Sequence, residues 1–478
     1  MFSKITCMTS PSSSVTASGD VEAAVAAAVA TGIPAALSDL GALVRIPGIA
    51  WPAFDQTQLV RSAAAVAELA EGTGVFDSVR VLRAAIPGTD EVGQPAILAR
   101  RAARNGKPTI LLYAHHDVQP PGADELWETP PFEPTVRDGR LYGRGAADDK
   151  AGIMAHIASI RAVAEALGDD LDLGIAMFIE GEEEYGSRSF AQFLTDNEDA
   201  LRADAIVVAD SGNWDSSTPG LTVSLRGAVR FTLTVRTLDH ASHSGMFGGA
   251  VPDAMLATIR LLNTLWDENG SVAVEGLAVR DAETPEYSEA TLRDETGLLP
   301  GVTPIGDGTI LSRIWNKPSV TVIGVDATSV AAASNTLAPE ATVVLSCRIA
   351  PGQSADDAYA ALEAHLRAHA PFGAELAFSD LDLGNPFLVD TSGWAVGLVR
   401  GAMADGYGKD PVDLGIGGSI PFIADLVERF PGAEILVTGV EDPHARAHSP
   451  NESLHLDTFR HAVATEALLL TRMNEITL

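Results

Sequence analysis

The pattern of apolar positions divides the chain into an α/β part, a segment of different rhythm and a return to the first pattern. Short, almost wholly apolar strands such as 108–114 alternate with helices such as 152–167, whose apolar residues recur every three or four positions. Continuous apolar strands are buried on both faces, as in a parallel sheet that helices cover. The sequence therefore predicts an α/β fold with a mostly parallel central sheet and helices on both faces.

A different pattern begins near residue 221. Alternation of apolar and polar residues, which is typical of half-exposed antiparallel strands, occurs at 221–225, 228–236, 319–325 and 341–349. Helices at 252–267 and 355–370 and a strand at 374–378 complete a β-α-β-β-α-β order, as in ferredoxin-like domains. The predicted organisation is a disordered tail at 1–20, an α/β domain in two parts at 21–220 and 386–478, and an inserted α+β domain at 221–385.

Composition narrows the classes of function. The chain has 478 residues and a net charge of −32, which repels phosphate backbones and anionic lipids, so we expect no nucleic-acid or membrane partner. Its two cysteines, Cys7 and Cys347, exclude a disulfide framework and a cysteine-based zinc site. The apolar run at 23–30 is short for a membrane span and lacks the basic flank of a signal peptide. A cytoplasmic location is the resulting expectation.

Four carboxylates stand within five residues at the end of a predicted buried strand: Glu180, Glu182, Glu183 and Glu184. In a solvated turn, water and salt would screen their repulsion. Beside a buried sheet they need a cation, and no Lys or Arg occurs between Ala164 and Ser187. A bound metal ion and a solvated acidic turn are therefore the two interpretations of this segment.

Other candidate ligands also follow predicted strands or lie in loops. His115 and Asp210 end two apolar strands, and sites in open α/β sheets form beyond the carboxyl ends of strands. Asp148 and His448 lie in loops, where Asp148 has an ordinary alternative as a helix cap. Asp117, two residues after His115, can accept the ring N–H and fix its tautomer. Histidine and carboxylate ligands without cysteine suit zinc, manganese or cobalt.

Five motifs in this order resemble one enzyme family. They are His115-x-Asp117, Gly143-Arg-Gly-x-x-Asp148-Asp149-Lys150, Glu180-Gly-x-Glu183-Glu184-x-Gly186-Ser187, Asp210 and His448-Ser449. Over residues 21–478, their order and spacing are similar to those of the co-catalytic zinc aminopeptidase-like hydrolases. That group includes carnosinases, glutamate carboxypeptidases, acyl-amino-acid deacylases and succinyl-diaminopimelate desuccinylase. The resemblance implies two divalent metal ions per subunit, with zinc favoured over manganese or cobalt, and a homodimer formed through an inserted lid and dimerisation domain.

The resemblance also implies a role for each ligand. Asp148 would bridge the two metal ions, His115 and Asp210 would complete one site, and Glu184 and His448 the other. A bridging hydroxide would attack the scissile carbonyl, with Glu183 as the general base and Asp117 orienting His115. The family has a cis peptide after its bridging aspartate, which is expected here between Asp148 and Asp149.

Further positions resemble the family's substrate contacts. His243, in Ser242-His-Ser-Gly, matches a histidine that reaches into the partner subunit's active site and stabilises the oxyanion. Arg348 matches a position that holds the substrate carboxylate, and Gly418 and Ser419 lie in a Gly-Gly-Ser-Ile-Pro segment that binds the same group. Without the resemblance, His243 would be interpreted as a helix-capping loop residue and Arg348 as an exposed strand residue.

The segments Asp-Val-Gln-Pro at 117–120, Phe-Gly-Gly at 247–249 and Gly-Gly-Ser-Ile-Pro at 417–421 resemble the dipeptidase branch. Gly415-Ile416 replaces the Arg-Glu of carnosinases, so the preferred substrate side chains stay open. The prediction is a metal-dependent hydrolase of dipeptides or short peptides with a free C-terminal carboxylate. An N-acyl-amino-acid deacylase and a non-catalytic binding protein on the same fold are the alternatives. A nucleotide-binding enzyme fails because no Gly-x-x-x-x-Gly-Lys-Ser/Thr motif occurs.

Overall fold

The computed structural model describes residues 14–417 and 421–478, which form two compact units. The first unit contains the described chain up to Leu221, with Asp390–Val412 and Leu426–Leu478. The second contains Thr222–Val389 and Asp413–Asp425. The sequence prediction assigned all of 386–478 to the α/β domain. Asp413–Asp425 groups with the second unit instead, because the strand within it pairs with the strand that opens that unit.

The elements follow in chain order. Up to residue 221 the helices are α1 (Ser14–Val44), α2 (Thr57–Glu71), α3 (Lys150–Leu167), α4 (Phe190–Asp196) and α5 (Glu198–Leu201). The strands of this part are β1 (Ser78–Leu82), β2 (Ala96–Arg101), β3 (Thr109–His115), β4 (Thr135–Arg137), β5 (Arg140–Tyr142), β6 (Gly174–Glu180) and β7 (Ala205–Val208).

The middle of the chain contributes the strands β8 (Gly220–Leu225), β9 (Gly227–Arg236), β10 (Ser242–His243), β11 (Ser319–Asp326), β12 (Thr336–Leu337), β13 (Glu340–Ile349), β14 (Glu375–Gly384) and β15 (Phe387–Leu388). Its helices are α6 (Ser244–Phe247), α7 (Ala254–Leu262), α8 (Glu289–Thr296), α9 (Ile310–Trp315) and α10 (Ala355–Ala368). The chain ends with α11 (Trp394–Tyr407), β16 (Val412–Ile416), α12 (Pro421–Arg429), β17 (Glu434–Val437), β18 (Ser453–His455) and α13 (Leu456–Glu475).

The sheet of the first unit has the order β1-β2-β6-β3-β7-β17. Strand β3 runs parallel to β6 and β7, β7 runs parallel to β17, and β1 and β2 form an antiparallel edge. Every residue of β3 and β6 is buried, as their continuous apolar sequence requires. The α/β prediction is confirmed, and the carboxyl ends of β3, β6, β7 and β17 lie at one edge of the sheet.

Helix α1 begins at Ser14, seven residues before the predicted helix start at Val21, so the predicted disordered tail overlaps with it. No proline lies between Ser14 and Ile33, and nothing blocks this extension of the helix. By length and composition alone, Gly19–Val44 could cross a membrane. In the structure this helix packs against α3 and α13, with Leu40, Leu43 and Val44 buried.

The second unit is built on an antiparallel sheet of order β11-β13-β9-β14. Its elements follow one another as β9-α7-β11-β13-α10-β14, which is the predicted ferredoxin-like order. One face of the sheet packs on α7 and α10 through Phe231, Leu345, Leu261 and Leu362. Alternate residues of β9 and β13 point to this core, and those between them point away from it.

Candidate metal centre

The carboxyl edge of the first unit's sheet collects the predicted ligands. His115 is the last residue of β3, Glu184 follows β6, and Asp210 follows β7. Asp148 lies just before α3, and His448 lies in the loop between β17 and β18. The parallel strands bring residues that are far apart in sequence to one place, as the strand-end argument predicts.

Asp148 occupies the middle of this group. Its Oδ1 is 3.1 Å from His115 Nε2, and its Oδ2 is 2.9 Å from His448 Nε2. His448 Nε2 is also 3.2 Å from Glu184 Oε2, and His115 Nε2 is 3.9 Å from Asp210 Oδ1. Ligand atoms of His115, Asp148 and Asp210 lie within 4.8 Å of one another, as do those of Asp148, Glu184 and His448. Two ligand sets that share one carboxylate fit a pair of metal ions.

The electrostatics of the group also fit divalent cations. Burial, with Asp148 and Glu184 nearby, raises the pKa of Asp210 to about 7. Hydrogen bonds to Asp148 and Glu184 raise the pKa of His448 to about 11. The carboxylates near Asp210 and His448 contribute to both shifts, as expected for a group of negative charges that a cation can balance. The histidine and carboxylate donors suit zinc, manganese or cobalt, so the residues present fit the implied metals.

Asp117 connects the first histidine to the acidic turn. It is fully buried, and its Oδ1 lies 3.5 Å from His115 Nδ1, whose closer partner is the Asp117 carbonyl at 3.1 Å. Its two carboxylate oxygens accept the backbone N–H groups of Glu183 and Glu184, each at 3.1 Å. His115 Nδ1 therefore faces the Asp117 carbonyl and, farther away, its carboxylate. The same carboxylate fixes the turn that follows β6, a second role that the sequence did not indicate.

Glu183 lies in the same turn and is partly exposed. Its side chain is 19% exposed, and its Oε2 lies 3.9 Å from His115 Nε2. Burial, and next the charge of Asp210, raise its pKa well above the usual range of a glutamate. A carboxylate with a raised pKa can take a proton and later release it near neutral pH. The interpretation of residues 180–187 as a solvated turn does not fit, because Glu180 and Glu182 are buried.

Glu452 was not predicted to have a role. It is fully buried and accepts hydrogen bonds from Arg144 Nη1 at 2.6 Å and from the backbone N–H groups of Ala147 at 3.0 Å and Asp148 at 3.1 Å. It thereby ties the loop of His448 to the loop of Asp148. The sequence holds no local signal for this role, because the burial that makes Arg144 need a carboxylate partner is a property of the tertiary structure.

Asp149 forms a hydrogen bond with the backbone of His115. Its Oδ2 accepts the backbone N–H of His115 at 3.1 Å. The peptide bond between Asp148 and Asp149 is cis, so the expectation from the family resemblance is confirmed.

Glu441 and Gln119 add to the surroundings of the ligands. Burial, with Asp148 and Asp210 nearby, raises the pKa of Glu441 well above its usual range. Glu441 directly follows the predicted strand at 434–440, so the rule that selected Asp210 could have found it. Gln119 donates to Glu184 Oε2 at 2.7 Å, which holds that carboxylate in place.

The remaining predicted site residues belong to the second unit. His243 is exposed, and its Nδ1 accepts the backbone N–H of Gly245 at 3.0 Å at the start of α6, which is the capping arrangement weighed as its alternative. Arg348 lies on β13 and is half-buried. Gly418 and Ser419 lie outside the described residues.

A parallel sheet with two ligand sets that share a carboxylate at its carboxyl edge defines a hydrolase of the two-metal class. Residues 111–472 match the model of peptidase family M20/M25/M40, and the chain belongs to this family. The family predicted from the five motifs is thereby confirmed.

Known relatives agree with this assignment. The chain is 38% identical over 368 residues to the cysteinylglycine-S-conjugate dipeptidase of Corynebacterium striatum, covering 76% of this chain and 80% of that protein. It is 27% identical over 384 residues to the Beta-Ala-His dipeptidase of Rattus norvegicus, covering 76% of each. The solved structure of the dipeptidase Dug1p from Saccharomyces cerevisiae shares the fold, with a TM-score of 0.75 at 24% identity over 96% of this chain and 99% of that one.

Proposed function

We propose that the protein hydrolyses the peptide bond of dipeptides or short peptides that carry a free C-terminal carboxylate, in a metal-dependent reaction. The main support is that Asp148 belongs to both ligand sets and that Glu183, whose pKa is raised, lies next to them. Membership of a peptidase family and two relatives named as dipeptidases support the substrate class.

The protein's own residues would orient the substrate and move the protons. Two divalent ions, zinc by the donor set with manganese or cobalt as alternatives, would polarise the scissile carbonyl and lower the pKa of the attacking water. Glu183 takes the proton of that water and passes it to the leaving amine, as general bases of this kind do. Asp117 holds the turn of Glu183 through its two hydrogen bonds, and its carboxylate lies beside His115.

The assignments in the second unit rest on the family resemblance. His243 is proposed to stabilise the oxyanion in the partner subunit's site, and its exposure in the single chain agrees with this role. Arg348, Gly418 and Ser419 are proposed to bind the substrate carboxylate. The homodimer and the cytoplasmic location stay predictions.

Metal analysis combined with a substrate panel tests the proposal. We expect about two divalent ions per subunit, hydrolysis of Ala-Ala and Xaa-Gly dipeptides, loss of activity on chelation and recovery with zinc. Faster hydrolysis of N-acetyl amino acids than of any dipeptide would replace the proposal with the deacylase. Bound metal without hydrolysis of either substrate class would favour a binding protein.

A further inference from the structure

Arg226 is a buried cation in the second unit. It is the single residue between β8 and β9 and is only 8% exposed. Its Nε donates to the carbonyl of Gly417 at 3.1 Å, and its Nη1 donates to Ser319 Oγ at 3.1 Å and to the carbonyl of Lys317 at 3.3 Å. All three acceptors are neutral. Among the described residues, no carboxylate forms an ion pair with this guanidinium.

Two other buried cations of the chain show how unusual this is. Arg144 donates to the carboxylate of Glu452 at 2.6 Å. Lys150 donates to two backbone carbonyls, as Arg226 does, but it lies near the negative charges of Glu452 and Asp117. Arg226 has another cation, Arg348, as its main charged neighbour. Burial, and next the charge of Arg348, lower the pKa of Arg226 to about 10.

Arg226 precedes β9, and its hydrogen bond to Ser319 places its guanidinium on the face of the sheet that carries Arg348. Arg348 pairs with Ala228 of β9 on one side and with Ser319 of β11 on the other. The side chain of Arg348 points away from the core, because its neighbours Cys347 and Ile349 belong to it. The hydrogen bond from Arg226 to Ser319 therefore carries its guanidinium across β13, the strand of Arg348, since adjacent strands lie about 4.8 Å apart.

A buried guanidinium such as that of Arg226, with a second cation nearby, is unfavourable until an anion offsets its charge. The arrangement leaves a donor for such an anion, because the Nη2 of Arg226 forms no hydrogen bond within the described part of the chain. A planar carboxylate matches the donor geometry of guanidinium groups better than a single point charge would.

We propose that Arg226 is a specificity-determining residue that binds, together with Arg348, the C-terminal carboxylate of the substrate. This inference rests on the proposed function, which supplies a substrate with such a group. Arg226 has two tasks: it adds the second positive charge, and its bonds to Gly417, Lys317 and Ser319 hold that charge in a fixed position.

The test compares a dipeptide with its amide, for example Ala-Ala and Ala-alaninamide, in the metal-loaded enzyme. Arg226→Met should raise the KM for the free acid about 10- to 100-fold, as expected for the loss of a charge-assisted hydrogen bond, with kcat changed only a few-fold. The preference for acid over amide should fall by the same factor. Arg226→Lys, which keeps the charge but loses the fork, should recover part of both. Arg230→Met, which replaces an exposed arginine of the adjoining strand β9, is the matched control and should change neither.

A folded Arg226→Met enzyme with an unchanged preference for acid over amide would overturn the inference. An equal loss on acid and amide would also overturn it, because that result indicates a merely structural role. If the methionine variant does not fold, an unchanged preference in Arg226→Lys has the same consequence. Wild-type enzyme that binds metal but hydrolyses no dipeptide would refute the proposed function itself, whereas active wild type with unaffected Arg226 variants refutes only this inference.

Discussion

Each unit holds a group of like charges, and the two groups have opposite signs. In the first unit, carboxylates such as Asp148, Glu184 and Asp210 meet at one sheet edge with two histidines. In the second, Arg226 and Arg348 share a sheet face, and Arg226 has no carboxylate partner among the described residues. Buried charge without a partner is costly in a folded protein, so such groups indicate where a ligand supplies the missing charge.

A third pair shows the opposite case. Arg144 and Glu452 are both fully buried and neutralise each other at 2.6 Å. Their bond joins two loops of the first unit, and no external ion is needed to balance it. Comparison of Arg144 with Arg226 therefore separates a cation that stabilises the fold from one that awaits an anion.

The largest expected effect concerns the candidate metal centre, where Glu183 is the proposed base and its neighbours are the proposed ligands. Glu183→Gln removes the proposed base but leaves all five ligands, so kcat for dipeptides should fall about 10²- to 10⁴-fold while the bound metal is unchanged. Kinetics and metal analysis of the same preparation check this. The exposed Glu165→Gln is the control. Hydrolysis at the wild-type rate would show that Glu183 is not the base.

A second prediction concerns Arg144, whose ion pair with Glu452 can be removed by substitution. Glu452→Gln leaves Arg144 buried without a carboxylate, and the free energy of unfolding should fall by about 3–5 kcal/mol. Denaturant unfolding measures this change, with Glu128→Gln, which breaks an exposed pair with Arg137, as the control expected to stay within about 0.5 kcal/mol. A loss no larger than the control's would remove the distinction between Arg144 and Arg226.

A smaller effect is expected from a substitution of Asp117, which is predicted to orient His115. Asp117→Asn keeps the shape of the side chain but removes the charge next to His115, so metal affinity should fall about 10- to 100-fold. Metal titration of the chelated protein measures the affinity, and the exposed Asp124→Asn serves as the reference. Unchanged affinity would restrict Asp117 to holding the turn of Glu183.

The smallest effect concerns a buried pair whose charges do balance. His156 Nδ1 lies 2.8 Å from Glu466 Oε2, and its Nε2 lies 3.0 Å from the Tyr113 carbonyl, so both ring nitrogens face acceptors. Burial lowers the pKa of His156, but Glu466 outweighs it and the pKa is raised. The resulting stability is complete below the unfolded-state pKa of about 6.5 and is lost as the pH rises through the higher folded-state pKa.

Wild type should therefore exceed His156→Gln in unfolding free energy by about 1 kcal/mol near pH 6, and by less at pH 9. Unfolding curves at the two values measure this difference. The exposed His369→Gln is the reference variant in the same measurement. A difference that grows with pH would mean that the neutral ring is the stabilising form.

Most of the candidate ligands were predictable because each one follows a short apolar run that the sequence itself displays. His115, Glu184 and Asp210 each follow a short apolar run, and such runs become neighbouring parallel strands. Glu441 also follows such a run and was overlooked, since one carboxylate after a strand is ordinary until its neighbours are known. The second role of Asp117 depends on backbone N–H groups 66 and 67 residues away, which no local pattern reveals.

The sequence by itself determined the two kinds of sheet, the motifs that define the family and the residues able to hold two metal ions. These properties follow from periodicity and side-chain chemistry, which neighbouring residues establish. Only the tertiary structure decided that Glu452 neutralises Arg144 and that Arg226 lies across the strand of Arg348 with no carboxylate partner in the described ranges 14–417 and 421–478. The physical reason is that the cost of a buried charge depends on burial and on partners, and both come from distant parts of the chain.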